Sequence, residues 1–504
     1  MQSDGSALRN GAEIATTVCI VGAGPAALTV ASALSEAKIE TLLVESGGVG
    51  FDREAQSLNE GEVVGDPRLR LHDTRRRQLG GTVNDWNTPV GNGSGAKYVP
   101  LDPWDLHRTA GAEVPGWPID YHELEHHYPA AQEICGLGPF DYSASNWQIS
   151  NRPPVAFPGC SLATKVYQFG PASRFLEDHL HRLASSDYVH IITNLTVSRL
   201  GTGTSSRIEE IRAVNRTGSD VKIRARLFVL AGGAIENARL LLVSAPDLVG
   251  MPRVAAAWIG RCFMEHPRDY GLALVTDSPA AFERLRFFDT AVSPAGVVTC
   301  GRLAFEDGPP RGTDLPNMSV TLLPRARPAG VVARTLQRFG LAKSRAGYGW
   351  TSYADPTRYF DGFHVLINLE QRPRPENRVT LSTTTLDAYG LPRCEVQWSW
   401  SSIEQSSLAR LRALIAEQLE ALSLGRVENA EARLPDPNAH HHAGTTRMAE
   451  TPKSGVTDRD ARVFGIDNLY VAGASVLPTA GFANPMLTIV ALADRLGQHL
   501  AATV

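Results

Sequence analysis

Residues 17–48 read TVCIVGAGPAALTVASALSEAKIETLLVESGG, and this stretch decides the fold class of the 504-residue chain. Its short apolar run at 18–21 is typical of a buried parallel strand. A helix is predicted from about Pro25, and a second apolar run at 41–44 ends at Glu45. The order of strand, helix and strand is a β-α-β unit, which predicts an α/β fold around a parallel sheet.

The turn between the first strand and the helix has the motif GAGPAA at 22–27. Gly22 permits the tight turn, Gly24 lets the backbone approach a pyrophosphate, and the small Ala27 allows close packing of helix on strand. Glu45 lies where an acid binds ribose hydroxyls. The context predicts a Rossmann-type dinucleotide site, and the alternative is a structural glycine turn without nucleotide. The motif alone does not separate FAD from NAD.

Composition excludes several classes of function. The formal net charge of −4 gives no electrostatic footprint for nucleic acid, and the run RRR at 75–77 is interpreted as a solvated loop. No apolar stretch approaches the roughly 20 residues that span a bilayer, so no membrane partner is expected. The polar residues 1–16 predict a disordered tail rather than a signal peptide. The cysteines form no Cys-x-x-Cys pair, which favours a reducing cytoplasm over a disulfide framework or zinc site; they are Cys19, Cys135, Cys160, Cys262, Cys300 and Cys394.

The rest of the chain predicts two interleaved domains. Loops and one helix at 121–134 are expected up to about residue 159, and alternating runs between 262 and 433 predict an antiparallel sheet with a helix at 403–422. The pattern returns to α/β in a strand that ends at Gly473 and a last helix that begins at Pro485. We therefore predict a Rossmann-like dinucleotide-binding domain, which is an FAD-binding domain if the nucleotide is FAD, from 17–110, 160–265 and 440–504, and a substrate-binding domain from 111–159 and 266–439.

Two C-terminal segments carry a family resemblance. They read HHHAGTTRM at 440–448 and GFANPMLT at 481–488. With the N-terminal glycine motif, they resemble the glucose-methanol-choline (GMC) oxidoreductases, in the branch of pyranose oxidases and glycoside 3-oxidases. In that family a histidine three residues before the glycine of a Gly-Thr pair is catalytic, which implies His441. The second catalytic position of that branch corresponds to Asn484.

The resemblance implies FAD as the cofactor and hydride transfer from an alcohol to flavin N5. A neutral His441 would accept the hydroxyl proton near pH 7, and Asn484 would hold the same oxygen. Pro485 suits the first position of the final helix, so Asn484 is expected at its N-cap, where it could also be only a cap. The residues expected to contact FAD are Gly22, Gly24, Ala27, Glu45, Gly81, Asn84, Ala231, Gly473, Ala474, Asn484, Pro485 and Met486.

Other histidines are assigned lesser roles. His440 and His442 are interpreted as structural neighbours of His441, and three adjacent histidines as a metal site is a weaker alternative because no carboxylate or Cys cluster accompanies them. His266 is interpreted as a loop histidine without catalytic function. In pyranose oxidases a histidine before a tryptophan in the Gly-Gly loop often binds the flavin covalently, whereas here Asp85 precedes Trp86. Non-covalent FAD is therefore predicted.

The sequence thus predicts oxidation of a secondary alcohol of a sugar, glycoside or glycosylated compound to a ketone. Molecular oxygen or another acceptor would reoxidise the flavin, and the oligomeric state is left open. Four alternatives remain: a flavoprotein lyase without net redox chemistry, a dehydrogenase of a non-sugar alcohol, a nucleotide-bound regulatory subunit and an NAD dehydrogenase.

Overall fold

Three β-sheets organise the computed structural model, which describes residues 1–106, 114–147, 152–157, 161–201, 203, 205–310, 312–327, 330, 335, 338, 347–430, 434–482 and 484–504. The strands are β1 (Gln2–Asp4), β2 (Ala12–Val21), β3 (Thr41–Val44), β4 (Gly61–Gly65), β5 (Thr88–Val90), β6 (Gly93–Tyr98), β7 (Leu162–Pro171), β8 (Val189–Thr193), β9 (Leu195–Gly201), β10 (Glu210–Asn215), β11 (Asp220–Leu230), β12 (Arg268–Val275), β13 (Thr290–Val292), β14 (Val298–Phe305), β15 (Met318–Ala326), β16 (Phe360–Leu369), β17 (Arg378–Leu386), β18 (Pro392–Trp398), β19 (Arg426–Asn429) and β20 (Leu469–Val471). The α-helices are α1 (Pro25–Glu36), α2 (Arg53–Ser57), α3 (Pro103–Leu106), α4 (Tyr121–Glu125), α5 (Tyr128–Ile134), α6 (Leu180–Ala184), α7 (Gly233–Ser244), α8 (Arg253–Ala256), α9 (Pro279–Arg284), α10 (Ser402–Ala421) and α11 (Met486–Thr503).

The first sheet is the predicted nucleotide-binding sheet. Its centre has the order β8-β3-β2-β11-β20, and every neighbouring pair in that run is parallel. The apolar strands β2 and β3 are joined by α1, which confirms the predicted β-α-β unit. The C-terminal helix α11 packs beside α1, so the two ends of the chain meet at this sheet.

The prediction of a disordered tail over 1–16 is wrong. Strand β1 pairs in parallel with β8 at the sheet edge, and β2 already begins at Ala12 and pairs with β11 from there. Residues 2–4 are exposed although they form a strand, because an edge strand needs only one hydrogen-bonded neighbour. Backbone pairing therefore orders a segment whose side chains bury little.

The second sheet is the predicted antiparallel sheet. Its nine strands follow the order β19-β12-β16-β15-β14-β7-β6-β5, with β13 paired to β14. One face packs against α10, where Leu411, Ile415 and Leu419 share a core with Val365 and Ile367. Strands β5, β6 and β7 belong to this sheet, although the predicted boundaries assigned 17–110 and 160–265 to the FAD-binding domain.

A third, small sheet joins the two halves of the chain. Strand β18 pairs with β17 in the antiparallel sense and with β4 in the parallel sense. Val396 and Trp398 are buried in the same core as the nucleotide-binding sheet. The segment 378–398 therefore packs with the nucleotide-binding half, outside the nine-stranded sheet, because its apolar face is covered there.

Two predicted helices differ from the structure. The helix expected at 121–134 is two helices, α4 and α5, because Pro129 lacks an N–H and its ring would clash with the carbonyl of Glu125 in one continuous helix. The last helix begins at Met486, with Pro485 at its N-cap, so Asn484 precedes the cap and is not the cap itself. Within the described part of the chain, no helix has both the length and the apolar character needed to cross a membrane.

Candidate active site

The glycine turn forms one wall of a deep cleft beside the parallel sheet. Gly22 has φ +109°, and a Cβ there would lie 2.6 Å from the carbonyl oxygen of Ala231 at the end of β11. Gly24 is the N-cap of α1, and a Cβ built on it has no heavy atom within 4 Å because it faces the cleft. The turn therefore presents the free N–H groups of a helix N-terminus to open space, which is the arrangement that binds phosphate.

Glu45 both lines the cleft and braces the turn. One carboxylate oxygen accepts from the Ala23 N–H at 3.0 Å and the other from the Gly47 N–H at 2.8 Å. Burial raises the pKa of this carboxyl to about 7, against the opposing effect of the Gly47 hydrogen bond and the Arg77 charge. Each oxygen keeps a further lone pair, so the side chain can still accept from ribose hydroxyls.

The Gly-Gly loop closes over the turn from the other side. Gly81 has φ +59°, and a Cβ there would lie 3.2 Å from the Cα of Gly24. Asn84 does not line the cleft; its amide donates to the carbonyls of Leu79 and Gly81 at 3.0 and 2.8 Å and so holds the loop in shape. Asp85 forms an ion pair with Arg76.

Most residues expected to contact FAD do line one cleft. Ala27 does not, because it is fully buried in the packing of α1, and Asn84 does not, for the reason given above. The expected residues that line the cleft are Gly22, Gly24, Glu45, Gly81, Ala231, Gly473, Ala474, Asn484, Pro485 and Met486. The two catalytic candidates, His441 and Asn484, line this same cleft.

The interpretation of residues 75–77 as a solvated loop is wrong. All three arginines line the cleft, and Arg75 and Arg77 pair with the carboxylate of Glu236 at 2.5 and 2.9 Å. Burial alone would raise the pKa of Glu236, but the charges of Arg77 and Arg75 hold it well below the ordinary range. The residues that sequence reasoning missed also include Thr196, Asn237 and Arg239. Only the position of the arginines just before the Gly-Gly loop could have pointed to the cleft.

His441 lies in a segment that is joined by backbone hydrogen bonds to the loop after α8. Met264 and Ala443 exchange both backbone hydrogen bonds, at 3.0 and 3.1 Å. Gly444 has φ +87°, and a Cβ there would lie 2.3 Å from the carbonyl oxygen of Cys262. This close approach brings the His441 ring to His266, with 3.0 Å between their Nδ1 atoms. His266 is a loop histidine, as interpreted, and both of its ring nitrogens are hydrogen-bonded; tertiary packing joins it to a residue 175 positions away.

The surroundings of His441 keep its imidazole neutral. Burial lowers the pKa of His441 well below the ordinary value of 6.5, and the positive charges of Lys97 and Arg268 act in the same direction. Burial also lowers the pKa of His266 to about 4. Among the described residues, no hydrogen bond engages Nε2 of His441, so this nitrogen is free to take a proton.

Asn484 supplies the second polar group of the site. Its Oδ1 atom is buried and has no hydrogen-bond partner among the described residues. A buried acceptor without a partner costs free energy unless a ligand satisfies it. Because Pro485 is the N-cap of α11, the side chain of Asn484 is not used as a helix cap and remains available.

Comparisons with known proteins agree with this geometry. Residues 373–493 match the family model described as GMC oxidoreductase. The chain is 24% identical to 6'''-hydroxyparomomycin C oxidase of Streptomyces lividus over 99% of this chain and 95% of the relative. It is 35% identical to C-glycoside 3-oxidase of Arthrobacter globiformis over a shorter match, 25% of this chain and 24% of the relative. The crystal structure of pyridoxine 4-oxidase from Mesorbium loti shares the fold, with a TM-score of 0.56 and 16% identity over 96% of this chain and 99% of that chain.

The parallel sheet, the glycine turn and the neutral histidine in the cleft, together with these matches, define an FAD-dependent oxidoreductase that acts on CH–OH donors. More particularly, the match of residues 373–493 to the GMC oxidoreductase model agrees with the family resemblance that the motifs indicate. The residues that line the cleft fit FAD, because Gly24 leaves open space at a helix N-terminus and Glu45 keeps acceptor capacity for a ribose. Covalent attachment of the flavin is not tested by these findings, and non-covalent binding stays a prediction.

Proposed function

We propose that this enzyme oxidises a secondary hydroxyl of a sugar, glycoside or glycosylated compound to a ketone, with His441 as the base. The single observation that carries the proposal is a half-buried, neutral His441 with a free Nε2 in the same cleft as the unpartnered Oδ1 of Asn484. A neutral imidazole is the side chain suited to removing a hydroxyl proton near pH 7.

The residues of the chain divide the work between them. Nε2 of His441 accepts the hydroxyl proton, and the amide of Asn484 hydrogen-bonds the same oxygen and holds the carbinol in line. When bound, FAD would supply the hydride acceptor; the alcohol becomes a ketone by losing a hydride from the carbinol carbon and the hydroxyl proton to His441. Gly22, Gly24 and Glu45 hold the dinucleotide, and molecular oxygen or another acceptor takes up the electrons.

A row of polar side chains on the nine-stranded sheet supports the proposal of a polyhydroxylated substrate. Ser319, Asn368 and Arg268 lie side by side on β15, β16 and β12, on the face opposite the α10 core. Buried polar atoms on this face, including Nδ2 of Asn368 and Oγ1 of Thr321, have no partner among the described residues. Arg268 donates to the carbonyl of Asn438 at 2.8 Å, so the row runs toward the segment that carries His441.

The names of the relatives favour the same substrate class. Paromamine 6'-oxidase of Streptomyces fradiae is 24% identical over 96% of this chain, and the matched C-glycoside 3-oxidase is by its name an oxidase of a glycoside. A small non-sugar alcohol is the second candidate, because 2-methyl-1,2-propanediol dehydrogenase of Mycolicibacterium austroafricanum is 24% identical over 96% of this chain.

Bleaching of the flavin under anaerobic conditions tests the proposal. Purified protein is mixed with glucose, methyl glucosides, an aminoglycoside and 2-methyl-1,2-propanediol, and absorbance near 450 nm is followed, about where bound flavin absorbs. His441→Ala should slow bleaching by about 10²–10⁴-fold, the usual contribution of a general base. The control is His126→Ala, which makes the same chemical change at an exposed residue directly after α4 and should bleach at the normal rate.

Two outcomes would contradict the proposal. If none of these alcohols bleaches the flavin, a lyase without net redox chemistry becomes the better interpretation of the site. If His440→Ala slows bleaching more than His441→Ala does, the base is the neighbouring histidine.

A further inference from the structure

His266 makes two hydrogen bonds that specify where its own proton lies. Its Nε2 is 3.0 Å from the carbonyl oxygen of Ala480, and its Nδ1 is 3.0 Å from Nδ1 of His441. A carbonyl oxygen only accepts, so Nε2 of His266 carries the hydrogen. Because burial lowers the pKa of His266 to about 4, the ring is neutral near pH 7 and its Nδ1 holds a lone pair.

The same reasoning then assigns the proton of His441. Two neutral imidazole nitrogens at 3.0 Å form a hydrogen bond only if one of them carries a hydrogen. Since Nδ1 of His266 is the acceptor, Nδ1 of His441 must be the donor. A neutral imidazole has one N–H, so the remaining lone pair of His441 is on Nε2.

We propose that His266 is a positioning residue that holds His441 in the Nδ1–H tautomer and thereby makes Nε2 the basic nitrogen. The inference rests on the proposed function, in which His441 removes the hydroxyl proton. In the opposite tautomer, two lone pairs would face each other across 3.0 Å in a buried space, and the hydrogen bond would be lost.

A buried carboxylate holds the two histidines in register. Oε1 of Glu265 accepts from the backbone N–H of His266 at 3.0 Å and from that of His441 at 2.7 Å. Oε2 of Glu265 accepts from Arg68 at 2.8 Å, and both side chains of this pair are fully buried. One carboxylate therefore fixes the backbone of both histidines. This is consistent with the edge-to-face contact of their rings, at a centroid distance of 5.1 Å.

The charged and titratable groups around the pair keep both rings neutral. Lys97 on β6, Arg268 on β12 and His440 act on His441 in addition to His266, and each lowers its pKa after the larger effect of burial. Lys97 also lowers the pKa of His266. Glu265 is engaged by Arg68 and by the backbone N–H groups of His266 and His441.

Two matched substitutions separate the acceptor role of His266 from its packing. In His266→Asn the amide oxygen replaces Nδ1 and can accept from His441. In His266→Gln the amide reaches the position of Nε2, keeps the donation to Ala480 and leaves His441 without an acceptor. Both variants bury one amide, so thermal unfolding of the two holoenzymes checks that they are equally folded.

The first readout is the tautomer itself. Holoenzyme labelled with ¹⁵N-histidine is measured by NMR, and the His441→Ala spectrum identifies the signals of His441. We expect a protonated Nδ1 and an unprotonated Nε2 in the natural protein and in His266→Asn, and loss of this pattern in His266→Gln. A protonated Nε2 of His441 in the natural protein would overturn the proposal.

The second readout is the pH profile of anaerobic flavin reduction by methyl β-D-glucopyranoside or, where that alcohol gives no bleaching, the fastest alcohol of the screen. His266→Gln should slow reduction at least tenfold and move the acid limb to lower pH, because the imidazolium of His441 loses its acceptor. His266→Asn should keep the natural limb. Equal rates in both folded variants would overturn the proposal while His441→Ala still tests the base, so the two failures are distinguishable.

Discussion

At the scale of the residue, three adjacent histidines have three different surroundings. His440 has φ +63° and lines the cleft, and His441 meets His266. His442 packs against the ring of Phe263 at 5.5 Å and lies 3.5 Å from Glu265. The distance in sequence to Gly444 selects His441 as the catalytic candidate, but the physical reason is visible only in the packing: one of the three rings has a partner that can orient it and a free nitrogen.

The positive charge of Lys97 should affect the pH at which kcat/KM falls on the acid side. A positive charge near His441 disfavours its imidazolium, so the acid limb of kcat/KM is expected below pH 6.5, the ordinary pKa of histidine. Lys97→Gln removes the charge and should move that limb to higher pH, because the pKa of His441 rises. Lys97→Arg keeps the charge and is the control. A limb that does not move in Lys97→Gln, measured by flavin reduction across pH, would contradict this electrostatic assignment.

At the scale of the element, the β2–α1 turn shows that two glycines of one motif do different things. Gly22 is needed because the chain has φ +109° there and the backbone of β11 lies against it. Gly24 has an ordinary φ of −81°, so glycine is needed there only because a side chain would occupy the cleft. The spacing of the motif predicts both roles, since a strand that turns directly into a helix leaves room for one tight turn and one phosphate.

Substituting each glycine by alanine should therefore separate folding from FAD binding. Gly22→Ala should destabilise the FAD-free protein by about 1–3 kcal/mol, because a strained backbone and a clash are added together. Gly24→Ala should change the unfolding free energy of the FAD-free protein by no more than about 1 kcal/mol. It should nevertheless weaken FAD retention, measured by flavin released on gel filtration. The reverse order of effects would show that the cleft does not hold the dinucleotide at Gly24.

At the scale of the whole molecule, the buried ion pair of Arg68 and Glu265 connects distant parts of the chain beside the site. Arg68 follows β4 and lies over the rings of Phe263 and Trp398, at 5.1 and 5.3 Å from their centroids. Its partner Glu265 holds the backbone of His441 at 2.7 Å. Burial raises the pKa of Glu265 even against the Arg68 charge, so the carboxylate depends on this partner.

Removing one member of the ion pair should lower the unfolding free energy more than removing both members. Arg68→Met leaves a buried carboxyl without its counter-charge and should lower the unfolding free energy by about 3–5 kcal/mol. The double variant Arg68→Met with Glu265→Gln should recover part of that loss, because no uncompensated charge remains. Denaturant unfolding of the single and double variants measures the difference. A double variant whose loss equals the sum of the two single losses would show that the residues are not coupled.

The sequence predicts the parallel sheet, the antiparallel sheet, a dinucleotide site and most of the cleft because these depend on local patterns. An apolar run, a glycine turn and an acid at a strand end are short-range signals that a β-α-β unit requires. The order of residues 1–16 and the pairing of β4 with β18 are not local, since each depends on a strand far along the chain. The arginines at 75–77 were assigned to solvent for the same reason: their partner Glu236 is about 160 positions away.

By itself, therefore, the sequence determined the class of this protein and named His441 and Asn484 as its catalytic candidates. The tertiary structure alone decided which nitrogen of His441 is free, what holds that ring and which charges surround it. The physical reason is that a motif records backbone geometry within a few residues, whereas the proton on an imidazole is placed by the partner that packs against it. Here that partner is His266, which no spacing in the chain relates to the C-terminal motif.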